Sequence, residues 1–296
     1  MSFRDEIRRR GAMFIAPDAA LLPYVSGYHA YASGGSATAP ATDWFFPGWA
    51  NVRFTVDAGP WHVSFGESAV FSVPAASLFG PSSRAIRSVA TGGVLFGAGL
   101  TPLGYASLIS LPAQKVADRI IDLAEVWTGT GEMHGKLSRA QGLEELKAVF
   151  EAEISHRLNP PRADTRGRIA ALHALLVNEH SVRVEETAAR LELPIRTLNR
   201  ITTEAFGFSP KLLLRRSRFL KSLMAALREP DRPICELIDT AYFDHSHFIR
   251  DSNDFLGMPP QRFLELMTPL MRQSIVNRSS VLGGPVQALH TARAET

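Results

Sequence analysis

A change of hydrophobic period along the chain constrains the fold more than any other feature. Val52, Phe54 and Val56 alternate with Asn51, Arg53, Thr55 and Asp57, and Trp61, Val63 and Phe65 alternate with His62 and Ser64. Period two marks strands with one buried face. Further β-like runs lie at Ser68–Val73, Ala85–Val89 and Val94–Phe96, while Tyr31–Thr42, rich in small polar residues, reads as a loop. After Leu111-Pro112 the period lengthens. Val116, Ile120, Leu123 and Trp127 recur at three to four residues, which predicts a helix over Ala113–Trp127, and Leu143, Leu146, Phe150, Ile154 and Leu158 predict a second. Asn159-Pro160-Pro161 interrupts any helix, and beyond it nearly every segment is helical to about Met271.

The expected class is therefore α+β. A β-sandwich with flanking helices occupies 1–159, an all-α domain occupies 160–278, and 279–296, which contains Gly283-Gly284-Pro285, forms a flexible tail. The single cysteine, Cys235, excludes a disulfide framework and reads as a small core residue on an apolar helix face. The charged start MSFRDEIRRR has no apolar signal core, and no apolar run approaches the ~20 residues a membrane span needs, so a cytoplasmic protein without a membrane partner is expected.

The helical half repeats one unit. Val184–Leu191, the turn Glu192-Leu193-Pro194 and Ile195–Phe206 form a helix, a tight turn and a second helix. With Leu198, Ile201 and Ala205 facing inward, the outer face carries Arg196, Thr197, Asn199, Arg200 and Thr203. Arginine can bond guanine with two donors and asparagine can read adenine, so this face suits a major groove. The polar surface of an ordinary helical bundle would look similar. A second unit follows: helix Ile234–Ala241, turn Tyr242-Phe243, N-cap Asp244 and helix His245–Phe255, presenting His245, Ser246, His247 and Arg250. Pro210–Arg228 reads as a long helix joining the units.

Charge follows the same division. Residues 1–159 carry a net −1 and 160–296 a net +4, and Arg190–Lys221 alone holds eight bases against two acids. Such a stretch suggests an electrostatic footprint on one domain, although on charge alone a solvated helix face with spare arginines is the favoured reading.

The run RTLNRITTEAFGFSPKLLLRRSRF (Arg196–Phe219) resembles the first half of the AraC/XylS-type DNA-binding domain, and DHSHFIRDSNDFLGMPPQRF (Asp244–Phe263) resembles its second half. The resemblance covers roughly Arg168–Met267. It implies a double helix-turn-helix entering successive major grooves of promoter DNA, with Lys211, Arg215 and Arg216 on phosphates. The chain departs from the family pattern at Glu192, where a turn glycine is usual, and at Thr202 and Ser252, where core phenylalanines are usual. The second turn also lacks its usual glycine.

The N-terminal half resembles the cupin-like effector domains of that family by order and architecture. This implies modulation by a small molecule, with Phe54, Trp61 and Phe65 (and Trp44) as candidate pocket residues that would equally serve as plain core. RNA polymerase, a partner protein and a second copy are further candidate partners. The reading is non-enzymatic, with no cofactor and no metal. His29 and His62 stand far apart in sequence, His245-Ser246-His247 lies on a recognition helix, and Gly97-Ala98-Gly99 lacks the rest of a dinucleotide fingerprint. The alternative is a cupin-like ligand-binding protein or enzyme with a decayed DNA-binding module.

Overall fold

The computed structural model describes residues 2–178, 183–229, 232–239, 242 and 244–290. The chain opens with α1 (Phe3–Arg10), closed by a capping box between Ser2 and Asp5. Strands β1 (Ala12–Ile15), β2 (Val25–Ser33), β3 (Ala41–Phe45), β4 (Asn51–Val56), β5 (Trp61–Phe65), β6 (Phe71–Ser72), β7 (Ala76–Phe79), β8 (Ile86–Ala90) and β9 (Gly93–Leu100) follow. After α2 (Pro102–Leu108) come β10 (Ile120–Asp122), α3 (Thr130–Arg139) and α4 (Leu143–Arg157). Antiparallel pairing builds a six-stranded sheet in the order β1-β2-β9-β4-β7-β10 and a four-stranded sheet in the order β3-β8-β5-β6.

The larger sheet is covered on both faces, and this decides where the β4 side chains go. Val52, Phe54 and Val56 point to the helical layer and join a core with Phe3, Ile7, Leu146 and Phe150. Phe54 lies 6.0 Å from Phe150 in an edge-on pair. By alternation Arg53 points the other way, into the space between the sheets, where its guanidinium sits 4.2 Å from the Phe79 ring centroid. Val63, Phe65, Phe79, Ile86 and Ile120 form a smaller core there.

The helical half comprises α5 (Ala163–Asn178), α6 (Val184–Arg190), α7 (Ile195–Ile201) with a π-helical turn Thr202–Phe206, α8 (Pro210–Arg228), α9 (Ile234–Leu237), α10 (His245–Leu256), α11 (Pro260–Glu265) and α12 (Pro269–Leu282). Two cores cross the boundary between the halves. One joins Trp49 and Leu103 to the first unit, and the other joins Ala85 to Phe219, Phe248, Phe255 and Phe263.

Four expectations are corrected. Ala113–Trp127 is not a helix: a 3-10 turn, β10 and a second 3-10 turn replace it. Asp118 adopts φ 53, which ends helical propagation, and its carboxylate accepts from the Ser83 amide (2.7 Å) and hydroxyl (2.6 Å). The loop over Tyr31–Thr42 is narrower, because β2 runs to Ser33 and β3 starts at Ala41. The tail is not loose over 279–290: α12 continues to Leu282, and Val286, Ala288 and His290 are buried. Gly27, at φ 139, admits Leu282 where any Cβ would collide. Gln287 Nε2 donates to the carbonyls of Ala50 and Leu100, both at 3.1 Å, plugging one end of the sandwich. Cys235, finally, is exposed rather than in the core.

Candidate nucleic-acid interface

The first unit forms from local signals. Pro194 precedes α7, where a missing N–H is harmless, and Leu198 and Ile201 bury the inner face. Glu192 occupies the turn at φ 52, the left-handed region that a glycine would adopt without strain. Arg196, Asn199 and Arg200 are exposed, and Thr197 and Thr203 are half-buried. Asn199 Nδ2 donates to the Ile195 carbonyl at 3.0 Å, and Thr203 Oγ1 donates to the Asn199 carbonyl at 2.9 Å. Arg200 meets Glu204 at 3.3 Å. An exposed pair of this kind contributes about 0–1 kcal/mol, so it yields readily to a phosphate or base edge. Ile195, which was not singled out from sequence, is 47% exposed at the head of the helix, a position suited to a thymine methyl. Its signal was an apolar residue beside Pro194 with no inward neighbour.

The second unit is built around α10, capped by the Asp244 carboxylate accepting from the His247 amide at 2.7 Å. Phe248 and Phe255 point inward, each ring 5.4 Å from Phe219. His245, Ser246 and Arg250 are exposed, whereas His247 is half-buried with its ring 5.3 Å from Tyr242. The preceding helix is shorter than expected, because Ile238 turns extended. Of the turn Ala241-Tyr242-Phe243, only Tyr242 lies within the described residues. The two hydroxyls that replace family phenylalanines are buried and paired. Thr202 Oγ1 donates to the Asn199 carbonyl (2.9 Å) and Ser252 Oγ to the Met258 carbonyl (2.8 Å).

The expected phosphate contacts divide. Lys211 is exposed at the start of α8. Arg215 instead binds Asp251 through Nε (3.1 Å) and Nη2 (2.5 Å), and reaches Asp254 at 2.6 Å. Asp251 is fully buried and also accepts from the Tyr242 hydroxyl at 2.8 Å, so this knot fastens α10 to α8. Arg216 is buried at 2% exposure. Its Nη1 donates to the Ser82 carbonyl at 2.6 Å, and its guanidinium lies 4.3 Å from the Trp49 ring centroid. It clamps α8 to the β domain and cannot touch DNA in this arrangement.

The candidate effector residues are dispersed. Phe54 and Phe65 fill separate cores, and Trp61 lines a small recess with Tyr31, Phe45 and Arg53. Trp44 packs edge-on to Phe263, 6.2 Å away. The larger interior cavity, about 100 Å³, lies between the sandwich and α12 and is lined by other residues, among them Arg53 and Arg278. Among the described residues, no helix is long and apolar enough to cross a membrane.

A helix-turn-helix domain family matches residues 187–265. No curated protein matches the chain. Among solved structures, ToxT from Vibrio cholerae is similar at 12% identity, over 81% of this chain and 99% of that one, with a TM-score of 0.47. Its complex with (E)-4-(8-methylnaphthalen-1-yl)but-3-enoic acid gives 12%, 81%, 99% and 0.46. The AraC-like transcriptional activator CuxR gives 14% identity over 73% of this chain and 88% of that one, with a TM-score of 0.22. The match spans both helix-turn-helix units and the α8 helix that joins them, so residues 187–265 of the chain form an AraC-type helix-turn-helix domain.

Proposed function

We propose that the chain reads a specific promoter sequence through α7 and α10 and that a small molecule bound in the N-terminal domain biases this reading. The carrying observation is the outer face of α7. Arg196, Asn199 and Arg200 are exposed together on one helix whose opposite face is anchored by buried Leu198 and Ile201. Arg196 and Arg200 would bond guanines, Asn199 an adenine, and Thr197 and Thr203 would support them at base or phosphate. His245, Ser246 and Arg250 offer a second, more weakly specifying face, and Lys211 would position the complex on phosphate. A ligand alters the outcome only if it favours one arrangement of the two halves over another. The cores and hydrogen bonds shared between the halves supply a physical route for that bias. Action in the cytoplasm, contact with RNA polymerase and pairing with a second copy belong to the same reading.

The test is mobility shift with the full chain on promoter fragments at several salt concentrations. Arg196→Ala and Arg200→Ala should each weaken specific binding by about tenfold or more, with circular dichroism unchanged. Unchanged operator affinity in both variants removes α7 from the model.

A further inference from the structure

Two cations, Arg278 buried and Arg53 half-buried, face one cavity without an ion-pair partner among the described residues. Arg53 projects from β4 into the space between the sheets, and Arg278 projects from α12, 7% exposed. Both line the cavity of about 100 Å³. Arg53 Nε is buried with no hydrogen-bond partner, and Arg278 gives one Nη1 to the Gly284 carbonyl. Among the described residues neither meets a carboxylate in an ion pair. Burial pulls both guanidinium pKa values down to about 10, and the Tyr31 phenol is the one group that opposes it. His29 is held neutral by burial and by these same two arginines, and its Nε2 has no partner. One acid, Asp43, lines the adjoining recess and accepts from the Thr268 hydroxyl at 2.5 Å.

The remaining walls are mixed: Phe14, Phe45, Phe79 and Ile275 give an apolar side, and Ser26, Asn51, Ser274 and Gln287 a polar one. The recess toward Trp61 shares Tyr31, Phe45, Arg53 and Phe79 with the cavity and extends the apolar surface. Withdrawing one unpaired cation from water is unfavourable, and turning a second toward the same cavity adds their mutual repulsion. An anion between them relieves both terms at once. A planar carboxylate matches the guanidinium fork, and aromatic walls suit a carbon body better than a hydrated inorganic ion. Size limits that body, because a cavity of roughly 150 Å³ admits benzene and this one is smaller.

We propose that the cavity binds a compact carboxylate with a short apolar body, clamped between Arg53 of the β domain and Arg278 of the helix that follows the DNA-binding units. This assignment names the ligand class of the effector reading above and rests on it. Because α12 follows α11 directly through Thr268, the bound carboxylate would tie the second helix-turn-helix unit to β4.

Thermal melts of the full chain at constant ionic strength test the assignment. Propionate and butyrate at about 10 mM should raise Tm by a few degrees, while propionamide, inorganic phosphate and chloride should not. Arg53→Gln should abolish the response without lowering the ligand-free Tm, since it removes an unpaired charge. Arg278→Gln should also abolish it. The assignment is overturned if no carboxylate shifts Tm, if the amide or phosphate matches the carboxylate, or if Arg53→Gln still responds. Mobility shift on the same preparations separates the two readings. Specific DNA binding without a carboxylate response rejects the ligand and keeps the regulator, and a carboxylate response without DNA binding does the reverse.

Discussion

His173 offers a quantitative check on the interface between the two halves. It is 9% exposed on α5, with its ring 5.7 Å from Trp49 and 6.5 Å from Phe206. Its Nε2 is buried without a partner, and burial, helped by the Arg216 guanidinium, pushes its pKa down to about 4. Unfolded histidine titrates near 6.5. Above that pH the ring is neutral in both states and contributes no pH dependence. Between 6.5 and 4 only the unfolded chain takes up the proton, so stability falls as the solution is acidified. From pH 7.5 to 5.0 the loss from this one ring is about 2 kcal/mol. A chain of this length unfolding as one unit has an unfolding entropy near 0.6 kcal/mol/K, so the loss corresponds to about 3 °C in Tm. His173→Phe keeps an aromatic edge against Trp49 and removes the titration. Melts of both proteins at pH 7.5 and 5.0 should show the wild type falling further by about 3 °C. His290, pushed to about 3 by burial and by Arg278 and His173, stays in both proteins and adds to the shared fall. Parallel falls in the two proteins would refute the placement of a neutral His173 between the domains.

Three further outcomes follow from particular geometries. Glu192→Gly relieves a left-handed non-glycine backbone and should raise Tm by about 1 °C with operator affinity unchanged, because the strain of about 1 kcal/mol is partly offset by unfolded-state entropy. Asp251→Asn removes a buried carboxylate facing Arg215, Arg218 and the Tyr242 hydroxyl. It should cost about 3–5 kcal/mol in urea unfolding, since it leaves Arg218 without its counter-charge and Arg215 with Asp254 alone. Exposed Cys235 should react with a thiol reagent in the native state at nearly the rate of the unfolded chain, while operator affinity is retained after labelling.

The sequence was most readable where one local signal acts alone. Ser209 and Pro210 set the start of α8, and the structure runs that helix over Pro210–Arg228, the expected bounds. The alternation over Asn51–Asp57 gives β4, and period two implies one buried face, but the second face is also largely enclosed. Arg53 therefore lines an interior cavity, while Phe54 is taken up by the helical layer. Over 113–127 the three-to-four spacing reported burial correctly and conformation wrongly. Val116, Ile120, Leu123 and Trp127 are all buried, but around a turn held by Asp118 and a strand paired with β7. The segment after Gly283-Gly284-Pro285 reads as a loose end because the partners of Gln287 lie more than 180 residues away, at Ser26, Ala50 and Leu100. Periodicity cannot report contacts of that range.

The basic stretch Arg190–Lys221 shows how far charge alone can be read. Three of its eight bases are turned inward. Arg216 holds the β domain, and Arg215 and Arg218 gather on Asp251. Arg190 and Arg200 meet glutamates on their own helices, leaving Arg196 and Lys211 as its most open cations. The charge that looked like one DNA footprint therefore serves two ends: internal fastening of α8 to its neighbours, and a smaller outward face centred on α7. Counterion release scales with the phosphates actually contacted, with a slope near −0.9 per phosphate. A shallow salt dependence would thus be compatible with the proposed recognition, in which specificity rests on the few outward groups of α7 and not on the charge total.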